Sequence, residues 1–362
     1  MIFLSPLLLT LGLIQLVAAH MDLRGVSLTG RWRGPGYLAG GVLFAGGVLL
    51  LPRSFLALVM VLPAGLLAMV CLLAIGSLAG RRLDPMRFLR PGDWPEGRCE
   101  AARIPNGDGV IPGLLITPPA ATGGAVCLVH GSGDNKTTFK WRLIEALLGR
   151  GLTVLTVDLA GHGENETPQR WPDCTSEIPA ALAWLRARPG VRRVGLLGVS
   201  MGGALSAQAA VAANPEALAL CETPTVFEYS QAMVWREAWH TVRSPVLDLM
   251  RETTAWQIWQ AWNVGAGRRE IALSDLIRQI DVPGQVARLT CPLLLVYGQR
   301  DGIAPSDHGR RLRQVATGPS HLILVPGASH LTLILLPLAT RFLADWFAQY
   351  LIALKDRKVS AS

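Results

Sequence analysis

The chain opens with three long apolar runs that carry no formal charge, and then its pattern changes. The runs are residues 2–19, 36–52 and 54–80, of 18, 17 and 27 residues. As helices they would be about 27, 25 and 40 Å long, against a hydrocarbon core of about 30 Å. The pattern predicts a membrane-spanning region over 1–83, in which the glycine-rich middle run either crosses or re-enters. Residues 84–98, rich in Pro, Gly and Arg, read as a juxtamembrane linker. Beyond it the apolar runs are short and continuous: 125–129, 152–157, 194–199, 217–221, 293–297 and 322–325. Two further short strands flank the turn residues Asn106 to Gly109. Runs without polar alternation fit strands covered on both faces, as in a parallel sheet. Helical patterns lie between them, at 138–149, 176–187, 201–213, 305–316 and 334–354. Strand alternating with helix predicts an α/β layered domain over 99–354, with ligands at the carboxyl ends of the strands and a polar tail at 355–362.

The alternation breaks at 222–290. This insertion holds Trp235, Trp239, Trp256, Trp259 and Trp262, five of the eleven tryptophans, at spacings of three and four that gather each group on one helical face. Such faces either pack the insertion onto the body or form a lid whose aromatic side lines an apolar pocket or touches a bilayer. On the second reading Trp235, Trp239, Trp256 and Trp259 contact substrate.

Charge refines the membrane reading. Three spans would put seven arginines (Arg24, Arg31, Arg33, Arg81, Arg82, Arg87 and Arg90) on one side and only Arg53 on the other. Two spans would divide them four and four. The positive-inside tendency favours three spans, an outside N-terminus and a cytoplasmic C-terminal domain. A signal peptide cleaved after Val17-Ala18-Ala19 is the alternative, but no Lys or Arg precedes the apolar run. The net charge is +8. Its arginine clusters flank the apolar runs, so anionic lipid headgroups are a simpler partner than nucleic acid. Six cysteines are scattered without a C-x-x-C pair or a Cys/His cluster. That spacing offers no metal site and suits a reducing compartment.

Candidate chemistry sits where apolar runs end. Gly198-Val199-Ser200-Met201-Gly202 fits G-x-S-x-G, between a buried strand and a helix. In that setting a tight turn projects the hydroxyl of Ser200 from the sheet edge as a nucleophile. A serine needs a base oriented by a third group. His330 follows the last predicted strand and Asp301 the one before it, giving the chain order Ser, Asp, His. Of the rivals, Asp158 and His162 suit loop bracing, His130 the loop beside the site, His240 the lid, and His308 and His321 the surface. Asp307 falls along the next helix. Backbone donors for an oxyanion would be the N–H of Met201 and, from the glycine-rich stretch 128–135, the N–H of Ser132.

With HGSG at 130–133, DLAGHGEN at 158–165, GVSMGG at 198–203, YGQRDGIAP at 297–305 and PGASH at 326–330, residues 99–350 resemble the α/β-hydrolase superfamily, in particular its serine aminopeptidase and esterase-like branches. The resemblance implies an eight-stranded, mostly parallel sheet, a Ser200–His330–Asp301 triad, an acyl-enzyme intermediate and no metal or organic cofactor. A serine nucleophile argues against haloalkane dehalogenases, which use aspartate. The expectation is a membrane-anchored serine hydrolase of a carboxylic ester with an apolar, lipid-like acyl group. Peptidase, thioesterase or acyltransferase activity from the same triad, and a non-catalytic binding role, are the alternatives. Oligomeric state is left open.

Overall fold

The computed structural model describes residues 4–20, 33–51, 63, 98–136, 141–242 and 269–352. The described residues belong to two compact units, an N-terminal helical one and the layered domain.

The first unit is an antiparallel pair of helices, α1 (Leu4–His20) and α2 (Arg33–Leu49). They pack closely because glycines remove side chains from the seam: a Cβ on Gly12 would stand 2.5 Å from the backbone nitrogen of Phe44, and one on Gly47 would stand 2.7 Å from that of Leu9. The polar groups turn inward. Ser5 Oγ donates to the Gly47 carbonyl at 2.8 Å and Gln15 Nε2 to that of Gly36 at 3.3 Å. Outward, Leu13, Leu38, Val42 and Leu49 are exposed. The expectation of spans at 2–19 and 36–52 needs correction. Each helix has 17 residues, about 25 Å, short of an untilted hydrocarbon core. No helix among the described residues is long and apolar enough to cross a membrane. The 54–80 run except Pro63, the linker except Arg98, and the polar tail lie outside the described residues.

The second unit is built on eight strands: β1 (Arg98–Asn106), β2 (Gly109–Thr117), β3 (Gly124–Val129), β4 (Thr153–Val157), β5 (Arg193–Val199), β6 (Ala217–Cys221), β7 (Leu293–Gly298) and β8 (Ser320–Val325). They form one sheet in the order β1-β2-β4-β3-β5-β6-β7-β8. β1, β2 and β4 pair antiparallel, and every pairing from β4 to β8 is parallel. The continuous apolar runs have their expected cause: β3, β4, β6 and β7 are buried at every position. The pair β1–β2 is longer than the pattern suggested, nine residues each in unbroken register from Arg98 opposite Thr117 to Asn106 opposite Gly109.

Helices cover both faces. On one lie α3 (Trp141–Leu148) and α10 (Pro337–Leu351), where Phe347 packs over Gly195. On the other lie α4 (Glu177–Arg186), α5 (Met201–Ala213), α7 (Leu273–Ile280), α8 (Val282–Val286) and α9 (Ser306–Val315). The insertion contributes α6 (Gln231–Val242). The sharpest packing is where β5 turns into α5. A Cβ on Gly202 would overlap the carbonyl oxygen of His130, which is backbone and cannot give way. Gly202→Ala should therefore lower the urea midpoint by the equivalent of about 1–3 kcal/mol. An unchanged midpoint would show that the turn can relax.

Candidate active site

Residues 199 to 201 leave β5 and enter α5 through Ser200, at φ 53° and ψ −119°. For a residue with a side chain, such a conformation costs about 1–3 kcal/mol and persists only when its surroundings enforce it. Here they do: Ser200 N–H donates to the Cys221 carbonyl at 2.9 Å, and its own carbonyl accepts from Gly203 N–H at 2.9 Å.

Four neighbouring parallel strands end at this rim, and each is followed at once or within a short loop by one polar side chain. Ser200 follows β5, Glu222 follows β6, Asp301 comes after β7 and His330 after β8. Three of them form a hydrogen-bonded chain. His330 Nε2 lies 3.0 Å from Ser200 Oγ, and His330 Nδ1 lies 2.8 Å from Asp301 Oδ2. Beside a carboxylate, Nδ1 carries the proton, which leaves Nε2 to accept from the serine hydroxyl. The other oxygen of Asp301 accepts from the N–H groups of Ile303 and Ala304 at 2.8 and 2.6 Å, which fixes the carboxylate's orientation. Burial opposes protonation of His330, but the charge and hydrogen bond of Asp301 outweigh it, helped by Glu237 and Asp134, so its pKa lies above the ordinary imidazole value.

The expected oxyanion donors, Met201 and Ser132, adjoin Ser200 and Gly131 in the sequence. Met201 N–H is the first of α5 and has no intrahelical acceptor. The loop carrying Ser132 presses against the serine, since a Cβ on Gly131 would come 3.3 Å from Ser200 Cβ. His130 holds that loop: its Nε2 accepts from Leu159 N–H at 3.0 Å, so Nδ1 donates to the Gly131 carbonyl at 2.7 Å. Asp158, a rival acid in the sequence, is occupied elsewhere, accepting from Lys136 Nζ at 2.5 Å and from Glu164 N–H at 2.8 Å. His162 donates to the Ala160 carbonyl and accepts from Arg269 at 3.2 Å. Burial, with the Arg269 charge, lowers its pKa to about 4. His308, expected at the surface, is instead partly buried, and its Nδ1 accepts from Thr225 N–H at 3.0 Å. Trp235 and Trp239 are exposed on α6. Trp256, Trp259 and Trp262 lie outside the described residues.

Two carboxyls escaped the sequence reading. Glu222 is fully buried at φ 50°, and among the described residues neither of its oxygens makes a well-formed hydrogen bond, the Gly298 main chain being the one donor near it. Burial, then the charges of Asp301 and Glu237, pushes its pKa well above the carboxylate range and favours the neutral acid. Glu237, buried on α6, accepts from Gly302 N–H at 2.9 Å and from Leu331 N–H at 3.0 Å. An acidic residue directly after a continuous apolar strand was the available signal for Glu222. Glu237 left none, since a glutamate on a helix is ordinarily solvated. Donor atoms of Glu222, Asp301 and His330 lie within 4.8 Å of one another, near enough for a cation. Both His330 nitrogens are already engaged by Asp301 and Ser200, however, so a metal would have to displace one of them.

Such a sheet, with a serine at a strained strand-to-helix turn and a histidine and an aspartate after later strands, defines the α/β-hydrolase class. A profile of the alpha/beta hydrolase family matches residues 128–345, and the chain belongs to that family. An uncharacterised protein of Mycobacterium tuberculosis (strain H37Rv) is 27% identical over 211 residues, 58% of this chain and 63% of that protein, so the match leaves more than a third of the relative uncovered. The pimeloyl-[acyl-carrier protein] methyl ester esterase of Edwardsiella ictaluri is 26% identical over 236 residues, covering 56% of this chain and 84% of that one. The crystal structure of bromoperoxidase from Bacillus anthracis is similar with a TM-score of 0.54 at 18% identity, over 69% of this chain and 100% of that chain, which is likeness of fold alone.

The electrostatics make a direct prediction. The His330 ring should titrate above about 6.5, followed by its ring C–H resonances in NMR. Asp301→Asn, by removing the charge that favours the imidazolium, should move that midpoint down. No movement would mean that Asp301 does not face the ring in solution.

Proposed function

We propose that the chain is a serine hydrolase that cleaves a carboxylic ester with an apolar acyl portion. The observation that carries this reading is the hydrogen-bonded chain Ser200–His330–Asp301, at 3.0 and 2.8 Å. In the mechanism it supports, His330 Nε2 takes the hydroxyl proton as Ser200 Oγ attacks the ester carbonyl. The N–H groups of Ser132 and Met201 hold the oxyanion, an arrangement in which each donor is worth about 3–4 kcal/mol of barrier. Asp301 keeps the imidazole in the accepting tautomer and balances its positive charge. The tetrahedral intermediate collapses, its leaving alkoxide takes the proton from His330, and an acyl-enzyme remains. Water, deprotonated by His330, then releases the acid and restores the serine. Preference for an ester is supported by the methyl ester esterase among the relatives. Preference for an apolar acyl group is supported by the tryptophans of the insertion, two of them exposed on α6.

Attachment to lipid is part of the same reading. Its support is the inside-out character of the α1–α2 pair, with Ser5 and Gln15 turned into the seam and Leu38 and Leu49 exposed at 71% and 84%. In flotation with anionic phospholipid vesicles, the full chain should rise with the lipid and Leu38→Lys/Leu49→Lys should do so less. Equal recovery of the two would remove these helices from the lipid contact.

A fluorophosphonate probe should label the wild type on Ser200, and p-nitrophenyl esters should be hydrolysed faster as the acyl chain lengthens. Ser200→Ala should lose at least about 10⁴-fold in kcat. Because only neutral His330 can accept the proton, kcat/KM should rise with pH through a midpoint above about 6.5. Folded protein that neither takes the label nor cleaves any ester would end the hydrolase reading. A flat response to chain length would end the apolar preference.

A further inference from the structure

A buried side chain reaches the site from a helix of the insertion rather than from a strand end. Glu237 is 3% exposed. Its Oε2 accepts from Gly302 N–H, one residue after Asp301, and its Oε1 accepts from Leu331 N–H, one residue after His330. The two loops it joins come from different strands, β7 and β8. A turn further along α6, His240 Nδ1 bonds the carbonyl of Arg300, on the other side of Asp301. The helix backbone is seated as closely as its side chains: a Cβ on Gly302 would lie 3.0 Å from Glu237 N and 3.2 Å from its Cα. A buried carboxylate is costly unless its oxygens are satisfied. Here each oxygen meets a main-chain donor, and both donors adjoin residues of the hydrogen-bonded chain.

We infer that Glu237 is a positioning residue of this site, a carboxylate that ties the Asp301 turn to the His330 loop and makes the seating of α6 a condition for turnover. The inference rests on the hydrolase reading above. Its content is that α6 bears on the loops of the site themselves: when α6 is docked, the distance between acid and base is held, and when it is not, both loops lose a shared anchor. Glu237 also acts through its charge. Among the described residues the titratable groups near it include Glu222 after β6, Asp301 after β7 and His330 after β8, with His240 one turn along the same helix. Its negative charge favours the protonated imidazole and disfavours ionisation of Glu222.

The test compares Glu237→Gln and Glu237→Asp in the full chain, with the exposed Arg236→Ala as a control on the same helix. Glutamine keeps the shape but loses the charge and turns an N–H toward one of the two donors. Its kcat should fall about 10- to 100-fold with KM changed less than about threefold, and the acid limb of kcat/KM should move to lower pH. Aspartate keeps the charge but is too short to span both N–H groups. It should lower kcat while leaving the acid limb where the wild type has it, and Arg236→Ala should resemble the wild type. The inference is overturned if both Glu237 variants keep kcat within about twofold of the wild type. It is equally overturned if they lose activity only in proportion to the folded fraction, with the acid limb unmoved in Glu237→Gln. Should Glu237→Gln fail to fold, Glu237→Asp decides alone by its kcat. These outcomes leave the hydrolase reading intact as long as wild type labels and Ser200→Ala does not.

Discussion

Parallel strands joined by a continuous hydrogen-bond ladder lie about 4.8 Å apart, and whatever follows them is delivered at that interval along one rim. Here the ladder from β5 to β8 places a serine, a glutamate, an aspartate and a histidine in consecutive slots. Serine and aspartate are two strands apart, too far for direct contact, and the histidine is one strand further on. The imidazole therefore has to swing back across the rim to stand between them, and the turns after β7 and β8 are built to bring it there. Tyr297, wholly buried in β7, donates to the Thr223 carbonyl at 2.6 Å and pins the exit of β6 to the same rim.

The electrostatics follow from crowding. Three carboxyls, Glu222, Asp301 and Glu237, act on one another beside one imidazole, which the charge of Asp134 also reaches. Asp301 is held by two N–H groups and the ring, and Glu237 by two N–H groups. Among the described residues Glu222 is the one of the three without a well-formed hydrogen bond, and its raised pKa lets it stay uncharged instead. Like charges packed this closely cannot all ionise without cost, so the burden falls on the least solvated of the three.

Much of this was legible in the sequence because the signals were local. Continuous apolar runs with no alternation mark strands buried on both faces, and the serine, aspartate and histidine stand directly beyond such runs. What was hidden depends on contacts between distant segments. Nothing near Glu237 announces that its carboxylate will meet backbone donors 65 and 94 residues away. His308, expected at the surface, stands on a strongly polar helix, yet its ring lies against the Thr225 loop. At the N-terminus, the apolar count marked the second helix at its full length but three residues late at the C-terminal end, since α2 stops at Leu49. Glycine spacing, which brings α1 and α2 together, was the better guide there.

The connection from β6 to β7 is closed at its root by pairing of Leu218 with Leu293 through Cys221 with Val296, and doubling the length of a loop costs only about 0.6 kcal/mol. Segments of very different size and composition can therefore be spliced between these strands without altering the spacing of the reacting atoms. On the hydrolase reading proposed above, substrate choice can drift in that segment while the chemistry stays fixed, provided that each replacement also brings an acceptor to fill the place of Glu237.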